Sequence, residues 1–295
     1  MNKKNGNRRD LSAAASGTVS LGGELTVNRL GFGAMRITGD GIWGPPKDRG
    51  AAIAVLRRAI ELGVNFIDTA DSYGPFVSEE LIAEALTPYP KDLVIATKGG
   101  WNRPGPNQWT HDASPAHLRK AVEGSLKRLR LERIDVYQLH APDPAVPLDA
   151  SLETLANMQS EGKVRLVALS NVTVEHIERA RKLVPIVSVQ NRYSFADREW
   201  DYVVDYCERN GIAFIPWFPL GAGTVAGRLL EKIAKTRKAK PIQIALAWLL
   251  KRSPIMLPIP GTSSIVHLEE NVRAASLQLS DEDYLELTGI AQLAS

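Results

Sequence analysis

The sequence predicts an α/β protein, a single (β/α)8 TIM barrel with an N-terminal β-hairpin and an added C-terminal helix. Three observations carry this expectation. Short apolar runs alternate with helical patterns from about Leu30 onward, the alternation repeats eight times, and no linker or change of composition divides the 295 residues. Each unit takes roughly 30 residues, the size of a βαβ crossover, and eight such units make a barrel of ordinary length. An open doubly wound sheet is the main alternative, and the number of units favours the barrel.

Residues 1–16, "MNKKNGNRRDLSAAAS", are basic and lack an apolar signal-like segment, so they read as a flexible arm, with 17–295 as the barrel domain. "GTVSLGGELTVNRLG" sets a Gly-Gly turn between two alternating runs, the pattern of a hairpin. Eight strand candidates follow: "RLGFGAM", "VNFIDT", "LVIATK", "IDVYQLH", "VRLVALS", "PIVSVQ", "IAFIPWF" and "PIMLPIP". They are short and apolar, as parallel strands covered on both faces should be. Helices between them are expected to start at Ser114 (before Pro115), Asp149 and Thr173, each able to cap free backbone N–H groups. Gly63, Gly162 and Gly211 stand where helices should stop. "SDEDYLELTGIAQLA" begins with a Ser280 cap and an acidic first turn, the start of the added helix.

With 36 Lys and Arg interspersed among 33 Asp and Glu, the net charge of +3 gives no electrostatic case for nucleic acid or a membrane surface. No apolar run approaches the roughly 18 residues of a membrane span. Cys207 is the only cysteine, so an intramolecular disulfide is excluded and a cytoplasmic setting is expected. A monomer or small homo-oligomer acting on a small molecule is the expectation.

In a TIM barrel the chemistry gathers at the C-terminal strand ends. Here those ends carry Asp68 with Tyr73 just beyond, Lys98, His140, Ser170 and Asn171, Gln190, and Trp217. Singly, each has a plain reading: Asp68 as a turn cap, Lys98 at the rim, His140 and Tyr73 as packing. Together they put a tyrosine, a lysine, an aspartate and a histidine on one rim. A free tyrosine loses its proton near pH 10, so it needs help as an acid. A neighbouring Lys98 is expected to lower that value, Asp68 to hold Lys98, and His140 to orient a carbonyl oxygen. This is a site for reducing a carbonyl without a metal, with the hydride supplied by a nicotinamide.

At these residues the chain resembles the aldo-keto reductase superfamily, over about Gly31 to Asp283. The motifs, in the family's order, are "FIDTADSYG", "IATKGG", "VYQLHAPDP", "VRLVALSNVT", "VSVQNRYS", "PWFPLG" and "PIPGTSSIVHLEENV". The resemblance implies a catalytic tetrad of Asp68, Tyr73, Lys98 and His140, with Tyr73 as general acid. It implies that Ser170, Asn171 and Gln190 hold the nicotinamide carboxamide and that Trp217 stacks on the ring. Further nucleotide contacts are implied for Gly33, Ala34 and Met35, for Pro219, Leu220 and Gly221, and for Gly261, Thr262, Ser263, Ser264, His267, Glu270 and Asn271. The phosphate end would meet backbone amides at a helix start. Where many relatives place an arginine or lysine, this loop reads "GTSS", with Ser263 at the usual arginine position. NADPH is the expected cofactor, with NADH as a second possibility.

Within the family, "GPPKDR" and "SYGPFVSEELIAEAL" look closest to bacterial reductases related to pyridoxal reductase. Trp43, Trp101 and Trp109, from "GIWGPP" and "GGWNRPGPNQWTHD", are the candidate substrate residues, and three indoles suit an aromatic or pyridoxal-like aldehyde. His111 reads as a surface residue and Cys207 as inert core. Two other functions are weighed: an aldolase using Lys98 to form a Schiff base, and a nucleotide-binding, redox-sensing subunit with little turnover.

Overall fold

The computed structural model describes residues 11–218 and 224–290. Thr18–Leu21 (β1) and Leu25–Asn28 (β2) form the expected antiparallel hairpin, with Leu21 opposite Leu25 and positive φ at Gly22 and Gly23. Its alternating side chains Val19, Leu21 and Val27 are buried against Val94, Leu166 and Val187, so the hairpin plugs the floor of the barrel. The arm differs from expectation over residues 11–16. Ala13–Ser16 form a 3-10 turn capped by Ser12, and Ala13 N donates to Leu62 O at 2.8 Å. The small Ala13 side chain is buried, which fixes this part of the chain to the body.

The next strands are Phe32–Gly33 (β3), Phe66–Asp68 (β4) and Val94–Gly99 (β5). Trp101–Asn102 (β6) and Thr110–His111 (β7) make a small antiparallel pair in the loop after β5. Ile134–Leu139 (β8), Val164–Ser170 (β9), Ile186–Arg192 (β10) and Ala213–Trp217 (β11) complete a parallel sheet in the order β3, β4, β5, β8, β9, β10, β11. The helices are Arg49–Glu61 (α1), Val77–Leu86 (α2), Pro115–Leu129 (α3), Leu148–Ser160 (α4) and Val174–Ala180 (α5). They continue with Asp201–Arg209 (α6), Thr224–Arg237 (α7), Pro241–Arg252 (α8), Ile265–Arg273 (α9) and Asp281–Ile290 (α10).

The eighth strand candidate, "PIMLPIP", closes the barrel without forming a regular ladder. Phe214 N donates to Ile255 O at 2.9 Å and Leu257 N to Phe214 O at 2.8 Å on one side; Gly31 N donates to Pro258 O at 2.9 Å on the other. Pro258 and Pro260 have no N–H to return, so only these bonds form. Leu257 and Ile259 still join Phe66 and Val94 in the interior cluster.

The expected caps at Ser114, Thr173 and Ser280 accept from the N–H groups of His117, His176 and Asp283. Asp149 differs: α4 begins at Leu148 after Pro147, and the Asp149 carboxylate pairs with Arg179 instead. A large apolar layer between strands and helices leaves the C-terminal strand ends as the polar rim.

Candidate active site

β4 and β5 run side by side, with Asp68 paired in register to Ala96, so Lys98 stands one pleat further up the same inner face. Its ammonium lies 2.5 Å from Asp68 Oδ1, 2.9 Å from Thr69 O and 3.3 Å from Tyr73 Oη. Asp68 Oδ2 accepts from two amides, Gln138 Nε2 at 2.8 Å and Gln190 Nε2 at 2.9 Å. Tyr73 rides on a turn whose ends are tied down by Asp71 N to Lys98 O and Phe76 N to Asp71 O. The rings of Tyr73 and His140 meet edge-on, centroids 5.9 Å apart, and Ser72 Oγ lies 3.4 Å from His140 Nδ1. Lys98 is fully enclosed at 0% exposure and does not line the cavity, whereas Tyr73 and His140 keep 7% and 8% and do, together with Asp68.

Burial shapes the electrostatics as much as charge does. Enclosure raises the phenol of Tyr73 above its ordinary value, and the pull of Lys98 only partly offsets this. That reverses the sequence-based expectation of a lowered value: the hydroxyl is held as a neutral donor. Burial also works against the charged form of Lys98, yet Asp68 and Tyr73 outweigh it and raise the ammonium above its ordinary value. Burial, helped by Lys98, drives His140 well below the usual histidine range and keeps it a neutral imidazole.

These groups open into a cavity of about 740 Å³. The strand ends contribute Asp68, Tyr73, His140, Ser170, Asn171, Gln190 and Trp217; the start of α9 and the loop before it contribute Gly261, Thr262, His267, Glu270 and Asn271, with Gly33 against Gly261 and Met35 nearby in sequence. Asn171 has φ of +57°, and its side chain bridges His140 O at 3.0 Å and Trp217 Nε1 at 3.2 Å. The far end is the start of α9, where Ser264 accepts from His267 N and Thr262 Oγ1 from Ser264 N at 3.0 Å. A cavity with a buried hydroxyl, ammonium and carboxylate group at one end and a helix start with hydroxyls at the other suits a dinucleotide.

Not every sequence-predicted residue reaches this space. Ala34 is buried in the core, its carbonyl accepting from Ser78 Oγ at 3.0 Å. Ser264 spends its hydroxyl on the helix cap, and Ser263 is exposed outside the cavity lining. Trp101 and Trp109 line the cavity, but Trp43 does not; its neighbour Ile42, with φ of +57°, turns inward instead. Pro219, Leu220 and Gly221 lie outside the described residues.

The structure adds groups that the sequence reading passed over. Gln138 is two residues before His140 on β8, hence on the same strand face, and that period was the available signal. Arg103 donates to Ser72 O at 2.9 Å, Gln108 O at 3.0 Å and Gly41 O at 3.1 Å, and lies 3.7 Å from the centre of the Trp109 ring. Phe218 and Arg36 also line the cavity. His111 is exposed and packs on Trp101, and the buried Cys207 thiol is pushed up to about 12. Among the described residues no helix is long and apolar enough to cross a membrane.

Comparison with known proteins agrees with this fold. An oxidoreductase of Schizosaccharomyces pombe, itself uncharacterized, is 53% identical over 279 residues, 94% of this chain and 90% of that protein. Pyridoxine 4-dehydrogenase of Escherichia coli is 47% identical over 286 residues, covering 94% of this chain and 99% of the enzyme. The crystal structure of an aldo/keto reductase from Klebsiella pneumoniae in complex with NADP and acetate superposes with a TM-score of 0.77 at 27% identity, covering 93% and 95% of the two chains. The family model "Aldo/keto reductase family" matches residues 29–292, and the chain belongs to that family of oxidoreductases.

Proposed function

We propose that this protein reduces an aldehyde or ketone to the alcohol with NADPH, and that Tyr73 supplies the proton. The carrying observation is the Tyr73 hydroxyl, 3.3 Å from an ammonium that is itself locked 2.5 Å from a buried carboxylate, on the wall of a cavity of about 740 Å³ that also reaches the start of α9. Bound NADPH supplies the hydride to the carbonyl carbon. Tyr73 donates its proton to the carbonyl oxygen, and the phenolate left behind faces Lys98. With Ser72 on Nδ1, His140 keeps Nε2 for the carbonyl oxygen and, being neutral, orients it without competing for the proton. Trp101 and Trp109 offer flat apolar walls to an aromatic or pyridoxal-like aldehyde.

The NADP complex of the Klebsiella relative supports NADPH, and the pyridoxine 4-dehydrogenase relative supports a pyridoxal-like substrate. The Schiff-base reading is disfavoured because Lys98 is enclosed, ion-paired and held as an ammonium. Tyr73→Phe tests the proposal: carbonyl reduction should fall by about 10²- to 10⁴-fold, while NADPH still quenches tryptophan fluorescence with unchanged affinity. Retention of full activity would remove Tyr73 as the proton donor.

A further inference from the structure

The loop that meets the phosphate end has no cation of its own. Gly261, Thr262, Ser263 and Ser264 offer only hydroxyls and backbone amides, and Gly261 has no room for anything longer: a Cβ there would stand 2.5 Å from Gly33 O. The reverse also holds, since a Cβ on Gly33 would stand 2.6 Å from Ile259 O. Two backbones touch at this point, so neither lysine nor arginine fits at position 261. The space beside Gly261 is taken by the stem of Arg36, whose Cγ would lie 3.6 Å from that Cβ.

Arg36 sits in the 3-10 turn Ala34–Ile37 that follows β3. It is exposed, it lines the same cavity as Thr262, His267, Glu270 and Asn271, and among the described residues its guanidinium has neither a hydrogen bond nor a carboxylate partner. Two other cations near α9 are engaged. Arg58 pairs with Glu269 on α9 at 2.8 Å, and Lys240 faces Glu270 at 3.9 Å. An open guanidinium is suited to a phosphate because its planar N–H groups can donate to two oxygens at once.

We propose that Arg36 binds the 2′-phosphate of NADPH, so that the charge selecting this cofactor comes from the loop after β3. The proposal rests on the reductase reading of the cavity. The test is titration of wild type, Arg36→Ala, Arg36→Lys and Lys240→Ala with NADP+, NAD+, adenosine 2′,5′-bisphosphate and 5′-AMP, followed by tryptophan fluorescence or calorimetry. Arg36→Ala should weaken NADP+ and the bisphosphate by about 10- to 100-fold, the range of a charged hydrogen-bonded contact, and leave NAD+ and 5′-AMP nearly unchanged. Arg36→Lys should recover part of the loss. Equal weakening of NADP+ and NAD+ would put Arg36 at the shared pyrophosphate and overturn the assignment. So would unchanged NADP+ affinity, or a selective loss in Lys240→Ala instead. A wild-type protein that binds no dinucleotide would sink the reductase reading itself, an outcome distinct from all of these.

Discussion

The ammonium of Lys98 lies 2.5 Å from Asp68 Oδ1 with both side chains closed off from solvent, but the two partners are not equally provided for. Asp68 keeps two amide donors on Oδ2 if Lys98 is removed, whereas Lys98 keeps only Thr69 O and Tyr73 Oη if Asp68 is removed. Stranding one member of a buried pair costs about 3–5 kcal/mol. Asp68→Asn should therefore lower the thermal midpoint more than Lys98→Met, although both abolish most activity. Equal shifts in calorimetry would mean that the two glutamines do not compensate the carboxylate.

Gln138 presents a second test of the same carboxylate. Gln138→Leu removes one of two donors to Asp68 Oδ2 and leaves that buried oxygen with Gln190 alone. A net loss of about 1.5–3 kcal/mol is usual for a hydrogen bond to a charged group. Reduction rate should fall with little change in nucleotide affinity, because Gln138 does not line the cavity. An unchanged kcat would show that Gln190 positions Asp68 by itself.

The pH profile follows from burial. Tyr73 is raised above the ordinary tyrosine value and His140 is far below the ordinary histidine value, so the acid stays protonated and the imidazole neutral through the neutral range. The kcat/KM for carbonyl reduction should therefore be nearly flat from about pH 6.5 to 9, between the two ordinary values. His140 also contributes to stability: stability is present above the unfolded histidine value of about 6.5 and is lost as pH falls toward the depressed folded value. An activity limb centred near pH 7 would contradict one of the two assignments, and Tyr73→Phe or His140→Gln would show which.

Which parts of this were legible in the sequence has a physical pattern. Asp68, Lys98, His140, Ser170 and Gln190 were readable because each ends an apolar run whose period fixes its face, whereas Asn171 follows Ser170 with a left-handed φ that the period does not give. "PIMLPIP" is equally apolar, yet its prolines lack the donors that a ladder needs, so the closing segment pairs only through scattered bonds. Trp43 lies outside the cavity lining, where its neighbour Ile42, with a left-handed φ, is found instead. The Tyr73 shift had the wrong sign because charge is visible in a sequence and enclosure is not. Arg36 and Gly261 meet only through the closing of the barrel, far apart in the chain.

Arg103 joins three loops that the sequence could not connect. Its guanidinium holds Gly41 O, Gln108 O and Ser72 O while stacking on Trp109, so one side chain links the substrate walls to the turn that carries Tyr73. Arg103→Ala should raise KM for aromatic aldehydes by about tenfold or more, since loss of several charge-assisted bonds exceeds 1.4 kcal/mol. Small aliphatic aldehydes, which do not need the indole wall, should be affected less. A uniform loss across both classes in steady-state kinetics would make the residue a general support of the loop.

Asp71 carries the last prediction. It is buried behind the Tyr73 turn, and Oδ1 has no hydrogen-bond partner among the described residues. Burial first, and the nearby Glu79 second, raise its carboxyl well above the ordinary value. A raised carboxyl binds its proton more tightly in the folded state, so its stability contribution is present below the unfolded value and is lost as pH rises through the folded one. Asp71→Asn cannot ionise, and its advantage over wild type should grow with pH. The gain comes from removing the ionisation, since the unpartnered oxygen remains in asparagine. Thermal unfolding of both proteins at pH 5 and pH 8 measures it. A difference that does not change between the two pH values would show that the Asp71 carboxyl does not change charge between them.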